Sequence, residues 1–147
     1  MIDAARLVFP SLRWRQSTGF AHEREKIDRT LELGAGGYII FGGTAGEVRR
    51  LITDLQSASG HLLLIASDLE RGAAQQFDGL THLPPAAALG FVNQPELTRR
   101  CGNVTAVEGR SVGVNWVYAP VADLDIEADN PIVQTRSFGD SAPAVSR

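Results

Sequence analysis

Gly37-Tyr38-Ile39-Ile40-Phe41-Gly42-Gly43-Thr44-Ala45-Gly46-Glu47-Val48 decides the fold. Its first five residues are an apolar run bounded by glycine, too short for a buried helix and rich in β-branched and aromatic side chains, so they read as a strand covered on both faces. Thr44 then opens a helix. Thr44 and Glu47 have the spacing of a capping box, and Val48, Leu51, Ile52 and Leu55 recur behind them at i, i+3, i+4 and i+7. A fully buried strand running straight into an amphipathic helix is half of a βαβ unit.

The pattern repeats on both sides. Towards the N-terminus, Ile27 and Leu31 with a stop at Gly34 predict a helix over residues 23–33, and the apolar run 5–9, closed by Pro10, predicts a strand. Towards the C-terminus, residues 62–66 (LLLIA) predict the next strand, ending at Ser67-Asp68. A long Gly, Ala, Gln and Pro connection over 69–91 follows, of a length that marks a functional loop. Asn93, Pro95 and Glu96 then start a helix whose apolar face carries Leu97, Cys101 and Val104, with Gly113 as its stop. Cys101 reads as a buried core residue. Residues 114–119 (VNWVYA) predict a last strand, and 123–137 a second polar loop. Alternating helices and continuous apolar strands imply an α/β fold with a parallel sheet. Ligands of such folds meet the carboxyl ends of the strands, where both long loops begin.

Composition narrows the function. With 14 Lys+Arg against 17 Asp+Glu and a net charge of −3, the chain has no overall basic field for a phosphate backbone, so no nucleic-acid partner is expected. Uncharged stretches such as 79–95 are broken by proline and fall short of the ~18 apolar residues that span a bilayer. No membrane partner and a cytoplasmic location are the expectation. The single cysteine excludes an internal disulfide and a Cys-based zinc site, in keeping with a reducing compartment.

Individual motifs leave alternatives open. Gly42-Gly43-Thr44-Ala45-Gly46 follows a strand and opens a helix, with Asp68 placed where a ribose-binding acid would stand, but its spacing is G-G-x-x-G, which a structural turn explains as well. Asp68 and Glu70 at a strand end suit the binding of sugar hydroxyls, and equally a helix cap or an ion pair with Arg71. The acidic run from Asp123 to Asn130 lacks the sixth-position glycine and terminal glutamate of a calcium loop, so no metal site is expected. His22, His61 and His82 have no ligand spacing. No cofactor is implied.

Five ordered blocks, GYIIFGG (37–43), IASDLERG (65–72), LPPAAALG (83–90), VNWVYAPVAD (114–123) and NPIVQTRSFG (130–139), resemble the N-terminal domain of glycoside hydrolase family 3, most closely its bacterial β-N-acetylhexosaminidase branch. The resemblance implies an incomplete (β/α)8 barrel, with about four parallel strands and flanking helices in residues 1–147. It also implies a retaining enzyme acting on terminal β-linked sugars through a covalent intermediate. Asp68, Asp123 and Arg136 match family residues in or near the sugar pocket and are the candidate substrate-binding residues, with Glu70 and Gln76 as further candidates.

The departures carry expectations too. Arg71 replaces the second glycine of the family's D-x-E-G-G block, and Gln76 stands where an arginine is usual. The family's Lys-His segment, the acid/base histidine and the nucleophilic aspartate would all follow residue 147. No catalytic residue is therefore expected in this chain, which reads as an N-terminal fragment, inactive alone, of a β-N-acetylglucosaminidase or alternatively a β-glucosidase. Its expected partner is a small carbohydrate or amino-sugar glycoside. A non-catalytic sugar-binding module is the other option, because a half barrel has open strand edges that invite self-association. A barrel of ~250 residues exceeds this length, so the 147 residues read as part of one domain.

Overall fold

The computed structural model describes residues 4–146. Four strands, β1 (Ser11–Arg13), β2 (Gly37–Phe41), β3 (Leu64–Ser67) and β4 (Trp116–Val117), form one parallel sheet in sequence order. Helix α1 (Arg24–Glu32) joins β1 to β2, α2 (Ala45–Ala58) joins β2 to β3, and α3 (Ala86–Val92) with α4 (Pro95–Val112) spans the crossover to β4. A final turn of helix, α5, covers Ala142–Val145. Among the described residues, no helix is long and apolar enough to cross a membrane.

One face of the sheet is packed and the other is open. Leu12, Tyr38, Ile40 and Ile65 meet Ile27, Val48, Ile52, Leu55 and Val112 from the helices, forming the core. Side chains alternate along a strand, so Ser11, Arg13, Ile39, Phe41, Leu64 and Trp116 share the opposite face. There Leu64 is 41% and Trp116 39% exposed, and the Trp116 ring rests edge-on against Phe9, with Tyr118 beside it. Gly37 lets this sheet close. A Cβ there would stand 1.8 Å from the Leu64 carbonyl oxygen, which explains why the deciding strand begins on glycine.

The β2 strand and the α2 capping box fall where the sequence places them. Thr44 Oγ1 accepts from the Glu47 N–H, and the Glu47 carboxylate accepts from the Thr44 N–H. Elsewhere the boundaries move. The strand expected over 5–9 is a helical turn, Ala4–Leu7, and β1 lies four residues further on. The Val8 N–H is used in closing that turn onto Ala5, Leu7 and Val8 are exposed, and pairing with β2 begins only at the Pro10 carbonyl. The strand expected over 62–66 starts two residues late, since both Leu63 backbone groups are taken by the Gln56 side chain.

β4 is shorter than residues 114–119 because a side chain replaces part of its ladder. Asn115 Oδ1 accepts from the Ile65 N–H at 2.7 Å and its Nδ2 donates to the Leu63 carbonyl at 3.0 Å. The connection 69–91 is not all loop, for its Pro-Ala-Ala-Ala segment forms α3. Asn93 consequently closes α3 in a left-handed conformation, φ 50°, and does not cap α4, whose N-cap is Gln94. Cys101 is half-buried, not a core residue. It borders a cavity of about 290 Å³ with Leu69, Glu70, Pro120 and Phe138.

Candidate functional site at the carboxyl edge of the sheet

Three of the four strands hand directly over to polar groups. β1 ends on Arg13, β3 runs into Asp68 and Glu70, and the chain leaving β4 carries Tyr118 and then Asp123. The register pairs Ile39 with Ala66 and Ala66 with Trp116, so two residues further on Phe41, Asp68 and Tyr118 continue the same row on the open face. Asp68 is half-buried, and its carboxylate makes no hydrogen bond within the described residues.

Arg136 reaches this edge from the second long loop. Its Nε and Nη2 donate to the two Glu70 carboxylate oxygens at 2.8 and 2.7 Å, a bidentate pair, and Nη1 donates to the Ile132 carbonyl at 3.3 Å. The hydrogen bond from Arg136 holds the Glu70 carboxyl below its ordinary value of 4.5 against the opposing effect of partial burial, and the Arg71 charge adds to it. Arg136 is pushed up in turn, first by the Glu70 hydrogen bond and charge, then by the negative fields of Asp123 and Asp68. Those last two effects place both aspartates within electrostatic reach of one guanidinium.

The loop is held from inside. Ser137, 1% exposed, sets its hydroxyl 2.6 Å from the Asp123 carbonyl and 2.9 Å from the Gly139 carbonyl, and Asp125 N–H donates back to Gly139. This joins the Asp123 and Arg136 ends of the loop. Gly90 of α3 lies directly under Phe138, where a Cβ would fall 1.8 Å from the carbonyl oxygen.

The structure therefore brings Asp68, Glu70, Asp123 and Arg136 to one edge. Gln76, half-buried beyond the short turn Ala73–Gln75, takes no part in their hydrogen bonds. Sequence reasoning passed over Ser137 and Arg13. Ser137 stood inside a quoted block, and Arg13 was hidden by a strand placed too early. Among the described residues, no group of three or more His, Cys, Asp and Glu could hold a metal ion.

A low Glu70 pKa has a testable sign. A depressed folded-state value means that the pair stabilises the loop above pH ~4.5 and loses that contribution as pH falls through the lower folded value. An NMR titration should give a Glu70 midpoint below 4.5. A midpoint at or above it would contradict the bidentate pair.

An open parallel sheet with convergent polar side chains at its carboxyl edge is the ligand-binding arrangement of α/β barrel enzymes. The comparisons with known proteins specify which. Residues 16–147 match the model of the glycosyl hydrolase family 3 N terminal domain. The chain belongs to that family, and its sheet is the open four-stranded part of a (β/α)8 barrel.

A β-N-acetylglucosaminidase/β-glucosidase of Cellulomonas fimi is 37% identical over 80% of this chain and 21% of its own length, and a β-hexosaminidase of Thiobacillus denitrificans 35% identical over 75% and 33%. Among solved structures, the β-glucoside phosphorylase BglX bound to 2FGlc superposes with a TM-score of 0.87 at 25% identity, covering 97% of this chain and 25% of that one. A family 3 β-N-acetylglucosaminidase from Paenibacillus gives 0.81 at 26% identity over 98% and 28%. The chain thus spans a third or less of these relatives. At Gly42–Gly46 the structure shows a turn into the Thr44–Glu47 capping box of α2.

Proposed function

We propose that residues 1–147 lie in one catalytic barrel and supply part of the sugar-binding wall of a retaining β-glycosidase that removes terminal β-linked N-acetylglucosamine from small glycosides or cell-wall fragments. Asp68 and Asp123 accept sugar hydroxyls, Arg136 donates to the sugar, and Glu70 orients Arg136. Gln76 has a lesser part, since nothing ties it to the others. The observation that carries this reading is the convergence of Asp68, Asp123 and the Glu70–Arg136 pair at the carboxyl edge. One relative named a β-N-acetylglucosaminidase/β-glucosidase and one named a β-hexosaminidase support the sugar. β-Glucose is the second reading, because the Cellulomonas fimi name includes it.

Retaining hydrolysis takes a nucleophile and an acid/base on opposite sides of the scissile bond. Glu70 is committed to Arg136, and the catalytic pair comes from residues outside 1–147. The remaining barrel strands pair with the open edges of β1 and β4, and cover the exposed Leu64 and Trp116, in place of a second copy of the chain. The cytoplasm is the proposed location, with no nucleic-acid or membrane partner.

Assays with 4-nitrophenyl β-N-acetylglucosaminide and β-glucoside separate the readings. The complete gene product should turn over the first faster than the second, and the 147-residue chain should turn over neither. Turnover by the 147-residue chain would contradict the placing of the catalytic pair.

A further inference from the structure

Glu108 of α4 is a half-buried carboxylate that the site so far described does not use. Beside it the helix comes close to the loop that leaves β3, for a Cβ on Gly109 would lie 3.2 Å from Leu69 Cδ1. Among the described residues, Glu108 has no cationic partner. Both of its oxygens go to one residue instead. Thr81 donates its N–H to Oε2 at 2.9 Å and its hydroxyl to Oε1 at 2.6 Å, two hydrogen bonds strengthened by the charge of their acceptor.

Thr81 lies on the outer arm of the connection from β3 to α3, whose inner arm carries Asp68 and Glu70. The two arms rest on each other. Leu83 N–H donates to the Arg71 carbonyl at 3.2 Å. Gly72, in a left-handed conformation at φ 83°, sits so near the outer arm that a Cβ would stand 2.8 Å from the Thr81 carbonyl oxygen. Packing against α4 gives the arms little support. The cavity of about 290 Å³ is lined by Leu69, Gly72 and Leu83 on the one hand and by Cys101, Gly102 and Thr105 of α4 on the other. The tie from Glu108 to Thr81 joins helix and loop beside that gap. Whatever moves Thr81 therefore moves Gly72, two residues from the Glu70 carboxylate that holds Arg136.

We propose that Glu108 is a positioning residue for the sugar site, gripping Thr81 so that the inner arm presents Glu70 to Arg136 and Asp68 to the sugar. This rests on the glycosidase reading above. Glu108 acts through the loop and touches no sugar itself.

The test uses the complete gene product, the 4-nitrophenyl glycoside that it turns over faster, and an NMR titration of the Glu70 carboxyl. Glu108→Ala should lower kcat/KM about tenfold, mostly through KM, because the catalytic pair is placed outside residues 1–147. The Glu70 midpoint should rise towards its ordinary value of 4.5 as the hold of Arg136 loosens. Thr81→Val, which keeps the N–H and loses the hydroxyl, should show both changes in smaller measure. Thr81→Ser should recover most of the activity that Thr81→Val loses. If Glu108→Ala fails to fold, the two Thr81 variants decide by the same readouts. A loss of stability with KM and the Glu70 midpoint unmoved would make the tie merely structural and overturn the proposal, as would unchanged kinetics. No turnover by the unmodified protein overturns the glycosidase reading and this proposal with it, whereas turnover with an unmoved Glu70 midpoint in the variants overturns this proposal alone.

Discussion

Asp68→Asn should lower kcat/KM of the complete gene product by about a hundredfold or more with the fold unchanged. The carboxylate is half-buried and accepts no hydrogen bond within the described residues, so its removal costs the protein little. A hydrogen bond to a charged group contributes about 1.5–3 kcal/mol, and a carboxylate holding two sugar hydroxyls loses much of twice that when it becomes an amide. The unfolding free energy should stay within about 0.5 kcal/mol of that of the unmodified protein, the range of substitutions that disturb no packing. Wild-type kinetics in Asp68→Asn would remove Asp68 from the sugar pocket. An equal fall in activity and stability would make its role structural.

Gly90→Ala has the largest expected effect on the protein itself. In an exposed helix this change stabilises by up to about 1 kcal/mol, and Gly102 in α4, with nothing within 4 Å of its would-be Cβ, is the matching control. At Gly90 the sign reverses. The added carbon would stand 1.8 Å from the Phe138 carbonyl oxygen, and the obstacle is backbone, so α3 or the loop has to move. We expect a loss of about 2–4 kcal/mol, in the range of overpacked sites. Phe138 lies two residues from Arg136, so the same shift pulls the guanidinium from Glu70 and should reduce kcat/KM at least tenfold. A Gly90→Ala protein as stable and active as the Gly102→Ala control would show that the loop does not depend on this contact.

What the sequence made legible follows from where each element draws its stability. β2 and α2 are specified locally, by an apolar run and a capping box, and both were readable. β1 and β4 are specified by distant partners. The two ends of β1, Ser11 and Arg13, are anchored by Lys26 and Glu23 of the following segment, and β4 is shortened by the hydrogen bonds of Asn115 to Leu63 and Ile65. No window of periodicity contains those partners.

The site divides in the same way. Asp68 was visible as an acid closing an apolar strand. The pairing of Glu70 with Arg136, 66 residues apart, was not, and neither was the row of Arg13, Phe41 and Asp68, which exists only once the register is known. Family blocks pointed to Arg136 without saying what holds it. Geometry supplies that: Glu70 at one end and Ser137 inside the loop.

The central claim is that the carboxyl edge of this sheet is a sugar-binding wall. A crystal structure of the complete gene product soaked with N-acetylglucosamine tests it most directly. The account predicts sugar hydroxyls within hydrogen-bond distance of the Asp68 carboxylate and the Arg136 guanidinium, with the Glu70–Arg136 pair intact. Sugar bound elsewhere, for example in the cleft at the amino ends of the strands between Arg49, Gln56, Arg110 and Asn115, with Asp68 left empty, would contradict it.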